Sequence, residues 1–264
     1  MFNYPIGVFD SGLGGLTVVK ELIKRLPCED IVYYGDTARV PYGTKSQEAI
    51  IRFSLENAKV LVKNKVKMMV VACHSSTSMA LPVLKQAFDL PILGVIDPGV
   101  KRALEATRNK RVGIIATEAT INSQAYLAAI KKLNPLIKVF PQACPLFVPL
   151  VEEGWMNKKV TLDIAREYLS SLKKERIDTL ILGCTHYPLL KKVLKKVMGW
   201  DVNLIDSAEE VACQVKEYLT ETGRSRKSPR RPQWKFLVSD KPQQFQKIAR
   251  NFLGREIKVE LIRE

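Results

Sequence analysis

Two cysteines stand at matching points of two stretches of the chain. Cys73 closes the apolar run Met68-Met69-Val70-Val71-Ala72, and Cys184 closes Thr179-Leu180-Ile181-Leu182-Gly183. Each run reads as a buried strand, followed by polar residues and then a helical pattern. Polar residues at the carboxyl end of a parallel strand face the crevice where α/β proteins bind ligands. The chain's only two histidines, His74 and His186, lie within two residues of these cysteines. Two thiols on opposite walls of one cleft suit proton transfer at a carbon acid. One, as thiolate, removes a proton from one face; the other, as thiol, returns a proton to the opposite face. Configuration inverts, and the reverse reaction exchanges the roles. A free thiol titrates near ~8.5, so keeping one partner ionised requires a modest shift, at about 1.4 kcal/mol per unit. The two sites would titrate as a coupled pair.

Two Cys and two His also make a structural zinc set. Zinc sites, however, space their cysteines closely on one small unit, whereas here the pairs are Cys73-His74 and Cys184-Thr-His186. No metal site is expected, and no C-x-x-C is present for a redox disulfide. Cys28, Cys144 and Cys213 read as inert small hydrophobes.

The elements that must place these thiols alternate between strand and helix. Strand patterns fall at Ile6 to Phe9, Ile31 to Tyr34, the Cys73 run and Ile92 to Ile96. Helical spacing runs over Leu16 to Leu26, Ser46 to Lys63 and Met79 to Phe88, and Asp97-Pro98 reads as a helix start with Pro at its first position. A second series opens at Arg111-Val-Gly-Ile-Ile-Ala116, resembling the first strand. It continues with a helix from Ile121 to Leu133 and strands at Ile137 to Phe140, Asp178 to Leu182 and Val202 to Ile205. The two openings are offset by about as much as the two cysteines. The expected fold is therefore α/β: two pseudo-symmetric three-layer domains with mainly parallel sheets, the active site in the cleft between them. A helix from Ser207 to Leu219, a Gly/Ser/Pro/Arg surface loop from Thr222 to Pro232, and a final strand, helix and strand return to the first domain. Residues 1–97 plus 208–264 make the first domain, with Cys73; residues 98–207 make the second, with Cys184.

Composition narrows the class. The chain has 264 residues, enough for one large or two modest domains. No apolar stretch is long enough to span a membrane. Met1 to Pro5 lead straight into the first strand without a secretory pattern, and five scattered cysteines suit a reducing cytoplasm. The net charge of +15 would suit a nucleic-acid partner, but the basic residues are scattered over many helix faces. A solvated surface with some attraction for anionic substrates is the favoured reading.

Two polar loops follow the first strands. Asp10-Ser-Gly-Leu-Gly-Gly15 has glycines that let backbone approach a ligand, and Asp10 suits an ammonium group. It lacks the dinucleotide fingerprint. In Gly35-Asp-Thr-Ala-Arg-Val-Pro-Tyr-Gly43, the backbone beside Tyr42 could hold a carboxylate.

These segments, with Cys144-Pro-Leu-Phe-Val-Pro-Leu-Val-Glu-Glu-Gly154, Leu182-Gly-Cys-Thr-His-Tyr-Pro-Leu-Leu190 and Leu204-Ile-Asp-Ser-Ala208, resemble the glutamate racemases, cofactor-independent enzymes of the aspartate/glutamate racemase family. The resemblance runs from the first strand to the last. It implies interconversion of L- and D-glutamate without cofactor, supplying D-glutamate for peptidoglycan, by a homodimer. It makes Cys73 and Cys184 the two catalytic acid/bases. Asp10, Asp36, Glu152 and His186 become supporting acid/base or orienting groups. Asp10, Ser11, Tyr42, Gly43, His74, Ser75, Thr185 and His186 become substrate contacts. Some members of the family bind gyrase; association with gyrase or nucleic acid is not favoured here. Other readings are a racemase of another acidic amino acid such as aspartate, a non-catalytic two-domain binding protein, and a zinc-dependent hydrolase.

One departure stands out. The family usually has Asn-Thr-Ala-Ser after the first cysteine; here it is His74-Ser-Ser-Thr77. A charged His74 would favour the Cys73 thiolate and attract the α-carboxylate. A crowding ring would weaken glutamate binding, and a ring packed aside would leave only backbone contacts.

Overall fold

A computed structural model of the chain describes residues 3–262. The expected lead-in from Met1 falls partly outside them. The chain folds into two α/β domains, each built on a wholly parallel sheet. The first sheet contains β1 (Ile6–Asp10), β2 (Ile31–Gly35), β3 (Met68–Val71), β4 (Ile92–Gly94), β9 (Trp234–Val238) and β10 (Val259–Leu261), in the order β10-β9-β2-β1-β3-β4. The second contains β5 (Arg111–Ala116), β6 (Lys138–Ala143), β7 (Thr179–Gly183) and β8 (Asn203–Asp206), ordered β6-β5-β7-β8. The central strands are near-continuous apolar runs because parallel sheets are covered on both faces; β1, β2, β3 and β7 are buried at every residue.

The helices are α1 (Leu16–Arg25), α2 (Gln47–Lys63), α3 (His74–Ala87), α4 (Ile96–Ala106), α5 (Glu118–Asn122), α6 (Ala125–Leu133), α7 (Phe147–Glu152), α8 (Lys159–Lys174), α9 (Lys191–Met198), α10 (Ser207–Glu221) and α11 (Pro242–Leu253). Ser46 caps α2 by accepting from the Ala49 N–H, and Asp206 caps α10 through Ala208. α10 packs on both α1 and α4, and one buried cluster runs from Ile6 and Val8 through Leu16, Val211 and Val215 to Leu180 and Leu182, joining the two sheets.

Several boundaries differ from the periodicity. α3 begins at His74, not near Met79, because polar Ser75, Ser76 and Thr77 form a buried first turn that carries no apolar signal. Pro98 sits at the third position of α4 rather than the first. The helix expected over 121–133 is two helices, broken where Gln124 adopts a left-handed conformation (φ 56°). α7 and α8 were not anticipated. The Arg-rich stretch after α10 is not wholly a surface loop. Arg226 is buried, donating to the Cys28 carbonyl, and Arg230 pairs with Asp30. Cys28 is exposed and Cys213 half-buried, so only Cys144 fits the reading of a buried inert thiol; all five cysteines are free.

Candidate active site

Each sheet reverses its winding beside its first strand: β1 lies between β2 and β3, and β5 between β6 and β7. Ligands of open α/β sheets bind at the carboxyl ends of strands at such switch points. Asp10 ends β1 and Cys73 follows β3; Thr117 and Cys184 directly follow β5 and β7. The two strand-end pairs face one another around a narrow cavity. Ser11, Tyr42, Gly43, Cys73, His74 and Ser75 line it from one domain, and Thr117, Val148, Cys184, Thr185 and His186 from the other. The two domains touch tightly here. Thr17 Oγ1 donates to the Thr185 carbonyl at 3.1 Å, and Thr185 Oγ1 donates to Asp10 Oδ1 at 3.4 Å. Ser75 Oγ lies 3.1 Å from Thr117 Oγ1 and 3.2 Å from Thr120 Oγ1.

Glycines make this approach feasible. A Cβ on Gly14 would stand 2.1 Å from Thr185 Oγ1 and 2.6 Å from His186 Nδ1, and one on Gly43 would stand 2.6 Å from Thr117 Cβ. The close backbone approach expected of the first loop is thus, at Gly14, an approach to the opposite domain rather than to a ligand.

The two thiols have unequal settings. Cys73 is the N-cap of α3, with its Sγ donating to Ser11 Oγ at 3.6 Å. Burial pushes this thiol up to about 11 and the Asp10 charge adds to it; the Ser76 N–H at the helix start pulls the other way. Cys73 is therefore a protonated thiol near neutral pH. After Cys184 no α-helix starts: a 3-10 turn, Tyr187–Leu190, intervenes before α9. His186 fills the space, with Nδ1 3.8 Å from Cys184 Sγ and Nε2 3.0 Å from Glu152 Oε1. Burial lowers the pKa of this ring, but the hydrogen bonds and charges of Cys184 and Glu152 outweigh it and raise it to about 10. The ring is thus an imidazolium between a sulfur and a carboxylate. Asp10 is fully buried; burial raises its pKa, while His186 and the N–H groups of Gly15, Gly12 and Ser11 oppose the rise.

Asp36 and Glu152 do not line the thiol cavity. Asp36 accepts from the Tyr42 hydroxyl, from Arg39 Nε at 2.6 Å and from Ser239 Oγ at 2.9 Å, while Asn57 Nδ2 donates to the Tyr42 oxygen at 3.0 Å. It orients Tyr42 and hence the Gly43 backbone. Glu152 acts on the site through His186. The ring of His74 is buried and stacks on Tyr126 with centroids 6.3 Å apart. Burial holds it down to about 3, so it is neutral and the charged alternative fails. Among the described residues, no three His, Cys, Asp or Glu side chains converge in a metal-holding arrangement.

Comparison with known proteins decides the family. A profile of the Asp/Glu/Hydantoin racemase family matches residues 6–215. The chain belongs to this racemase family. A curated glutamate racemase from Geobacter metallireducens is 52% identical over 252 residues, spanning 96% of this chain and 93% of that protein. One from Chlorobaculum tepidum is 46% identical over 260 residues, spanning 98% and 96%. Among solved structures, a glutamate racemase isoform of Bacillus anthracis superposes with a TM-score of 0.96 at 38% identity, covering 100% of this chain and 98% of that one. The Francisella tularensis glutamate racemase, solved with D-glutamate, gives 0.94 at 40%, with the same coverage. Within this racemase site, sequence reasoning missed Thr117, Thr120 and Val148. Thr117 carried a usable signal, since it follows β5 as Cys184 follows β7; Thr120 and Val148 had none.

Proposed function

We propose that the protein is a glutamate racemase that interconverts L- and D-glutamate by two-thiol proton transfer at Cα, without cofactor. The observation that carries this reading is the pair of buried thiols on opposite walls of one cavity, one protonated and one beside an imidazolium. Cys184, as thiolate beside protonated His186, takes the Cα proton from one face. Cys73, as thiol, gives its proton to the carbanion from the other. Sulfur at Cys184 then carries the abstracted proton and Cys73 is the thiolate, ready for the reverse reaction. Asp10, at the end of β1, is the acceptor suited to the substrate ammonium group. The Tyr42–Gly43 backbone, positioned by Asp36, holds the side-chain carboxylate, and Ser11, His74, Ser75, Thr185 and His186 complete the contacts.

The domain division 1–97 plus 208–264 and 98–207 is supported by which strands share a sheet. A cytoplasmic location and a homodimer belong to this proposal, on the likeness to the glutamate racemases. No helix among the described residues is long and apolar enough to cross a membrane. D-Glutamate made here would serve peptidoglycan synthesis. The test is incubation of L- and D-glutamate, with aspartate alongside, in deuterated water. Loss of optical rotation with deuterium entering Cα is the expected result for glutamate. Retention of rotation and of Cα hydrogen on both acids overturns the reading.

A further inference from the structure

His186 belongs to the second domain, and so do both groups that bond its ring: Cys184 at Nδ1 and Glu152 at Nε2. The contact with sulfur is long, at 3.8 Å, and the residue precedes a four-residue 3-10 turn rather than an α-helix. A small tilt of the ring would part Nδ1 from the sulfur. Two groups of the first domain bear on the ring. One is the Gly14 backbone, where an added Cβ would stand 2.6 Å from Nδ1 and 2.7 Å from Cε1. The other is Phe252 of α11, whose ring meets that of His186 edge to face, with centroids 6.2 Å apart and planes at 86°. Phe252 is 1% exposed and sits in the main core cluster, on a helix packed against α1 and β10. It is a fixed surface, not a side chain that follows the histidine. Edge-to-face contact is an arrangement that aromatic pairs favour. A phenyl ring has no hydrogen-bonding atom, so it cannot draw either ring nitrogen of His186 from its partner. It also keeps water off the ring, and charges in a dry site hold one another more strongly. The same helix reaches the Glu152 end of the chain, since Gln244, Phe245 and Ile248 line a cavity together with Glu152.

Resting on the racemase reading above, we propose that Phe252 is a positioning residue: from the first domain it holds the His186 ring in line with Cys184 and Glu152. The base at Cys184 is then completed by a residue of the opposite domain. Any parting of the two domains withdraws the phenyl ring from His186, so proton abstraction at Cys184 is tied to the closed cleft. Phe252 touches neither sulfur nor substrate in this role; it acts through the imidazole alone.

The experiment compares the full-length wild type with Phe252→Leu, His186→Asn and the double variant, on both enantiomers of glutamate. Phe252→Leu should lower kcat roughly tenfold with KM little changed. Its Cα-deuterium isotope effect should grow for the enantiomer deprotonated by Cys184 and shrink for the mirror image. The double variant should be no slower than His186→Asn alone, because nothing is left to position; independent losses would multiply. Leu253→Ala, at another buried position of α11, should lower stability and leave the ratio of the two isotope effects at its wild-type value. Circular dichroism checks that each variant is folded. Phe252→Met, which keeps the volume without the flat ring, takes the place of Phe252→Leu if that chain does not fold. Multiplied losses in the double variant overturn this inference alone. So does a wild-type kcat in the folded Phe252 variant, a wild-type ratio of isotope effects in it, or the same altered ratio in Leu253→Ala. A wild-type chain inactive on glutamate sinks the function and this inference together.

Discussion

Cys184 Sγ stands 3.8 Å from His186 Nδ1, whereas the Cys73 sulfur meets the Ser11 hydroxyl at 3.6 Å and Ser76 at the start of α3, with no charged group in the place of the imidazolium. The pseudo-symmetry of the strands therefore stops at the thiols. One is a buried acid at a helix start, the other a member of a Cys-His-Glu chain. Removing the imidazolium should impair the proton transfer at Cys184 more than the one at Cys73. His186→Asn is expected to lower kcat by about 100-fold. Because the overall equilibrium between enantiomers is fixed, kcat/KM must fall equally in both directions. The asymmetry appears instead in the Cα-deuterium isotope effect, which should grow for the enantiomer deprotonated by Cys184 and shrink for its mirror image. Equal effects for both enantiomers would remove His186 from the Cys184 half-reaction.

Gly14→Ala tests the contact between the domains. Its Cβ would overlap Thr185 Oγ1 and His186 Nδ1 at 2.1 and 2.6 Å. Thr185 is β-branched and bonded to Asp10, so it has little room to retreat. Activity should fall by more than about tenfold, with overpacking costing about 1–3 kcal/mol of stability. Steady-state kinetics with urea unfolding checks both; wild-type kcat/KM would mean that the domains part here without consequence.

Much of this was legible from residues. Parallel strands buried on both faces announce themselves as apolar runs, and the polar residue ending each run marks the crevice. So Asp10, Cys73 and Cys184 could be placed before any coordinates. The start of α3 could not, because its buried turn His74-Ser75-Ser76-Thr77 is polar and only tertiary packing explains it. The charge state of His74 was also illegible: it depends on enclosure by Tyr126, over fifty positions away in sequence. Likewise the resemblance offered Asp36 as a supporting acid/base or orienting group, and its contacts with Tyr42, Arg39 and Ser239 could not be read from the sequence.

The two histidines should give opposite signs in stability against pH. His74 has its folded pKa lowered to about 3, below the ordinary ~6.5 of an unfolded chain. As pH falls below ~6.5 the unfolded chain takes up this proton and the folded one does not, so stability drops by about 1.4 kcal/mol per unit until pH ~3. His186 has its folded pKa raised to about 10. Its contribution is complete below ~6.5 and is lost as pH rises through 10. Urea unfolding at intervals of pH should show His74→Asn flattening the acid limb and His186→Asn flattening the alkaline one. An acid limb unchanged in His74→Asn would show that the ring is not held neutral.

Asp36 offers a choice between chemistry and positioning. Its carboxylate is fully buried and engaged by Arg39, Tyr42 and Ser239. Arg39 is itself fixed from three sides, pairing with Glu56 and lying over Phe53 at 4.4 Å. An amide at position 36 keeps the shape but loses the charge that holds the Arg39 guanidinium and the Tyr42 hydroxyl. Asp36→Asn should therefore cost about 2 kcal/mol of stability and raise KM for glutamate as the Tyr42–Gly43 turn loosens. The pH profile of kcat/KM should keep both limbs, since no proton of the reaction passes through position 36. Loss of one limb, with KM unchanged, would instead make Asp36 a participant in proton transfer.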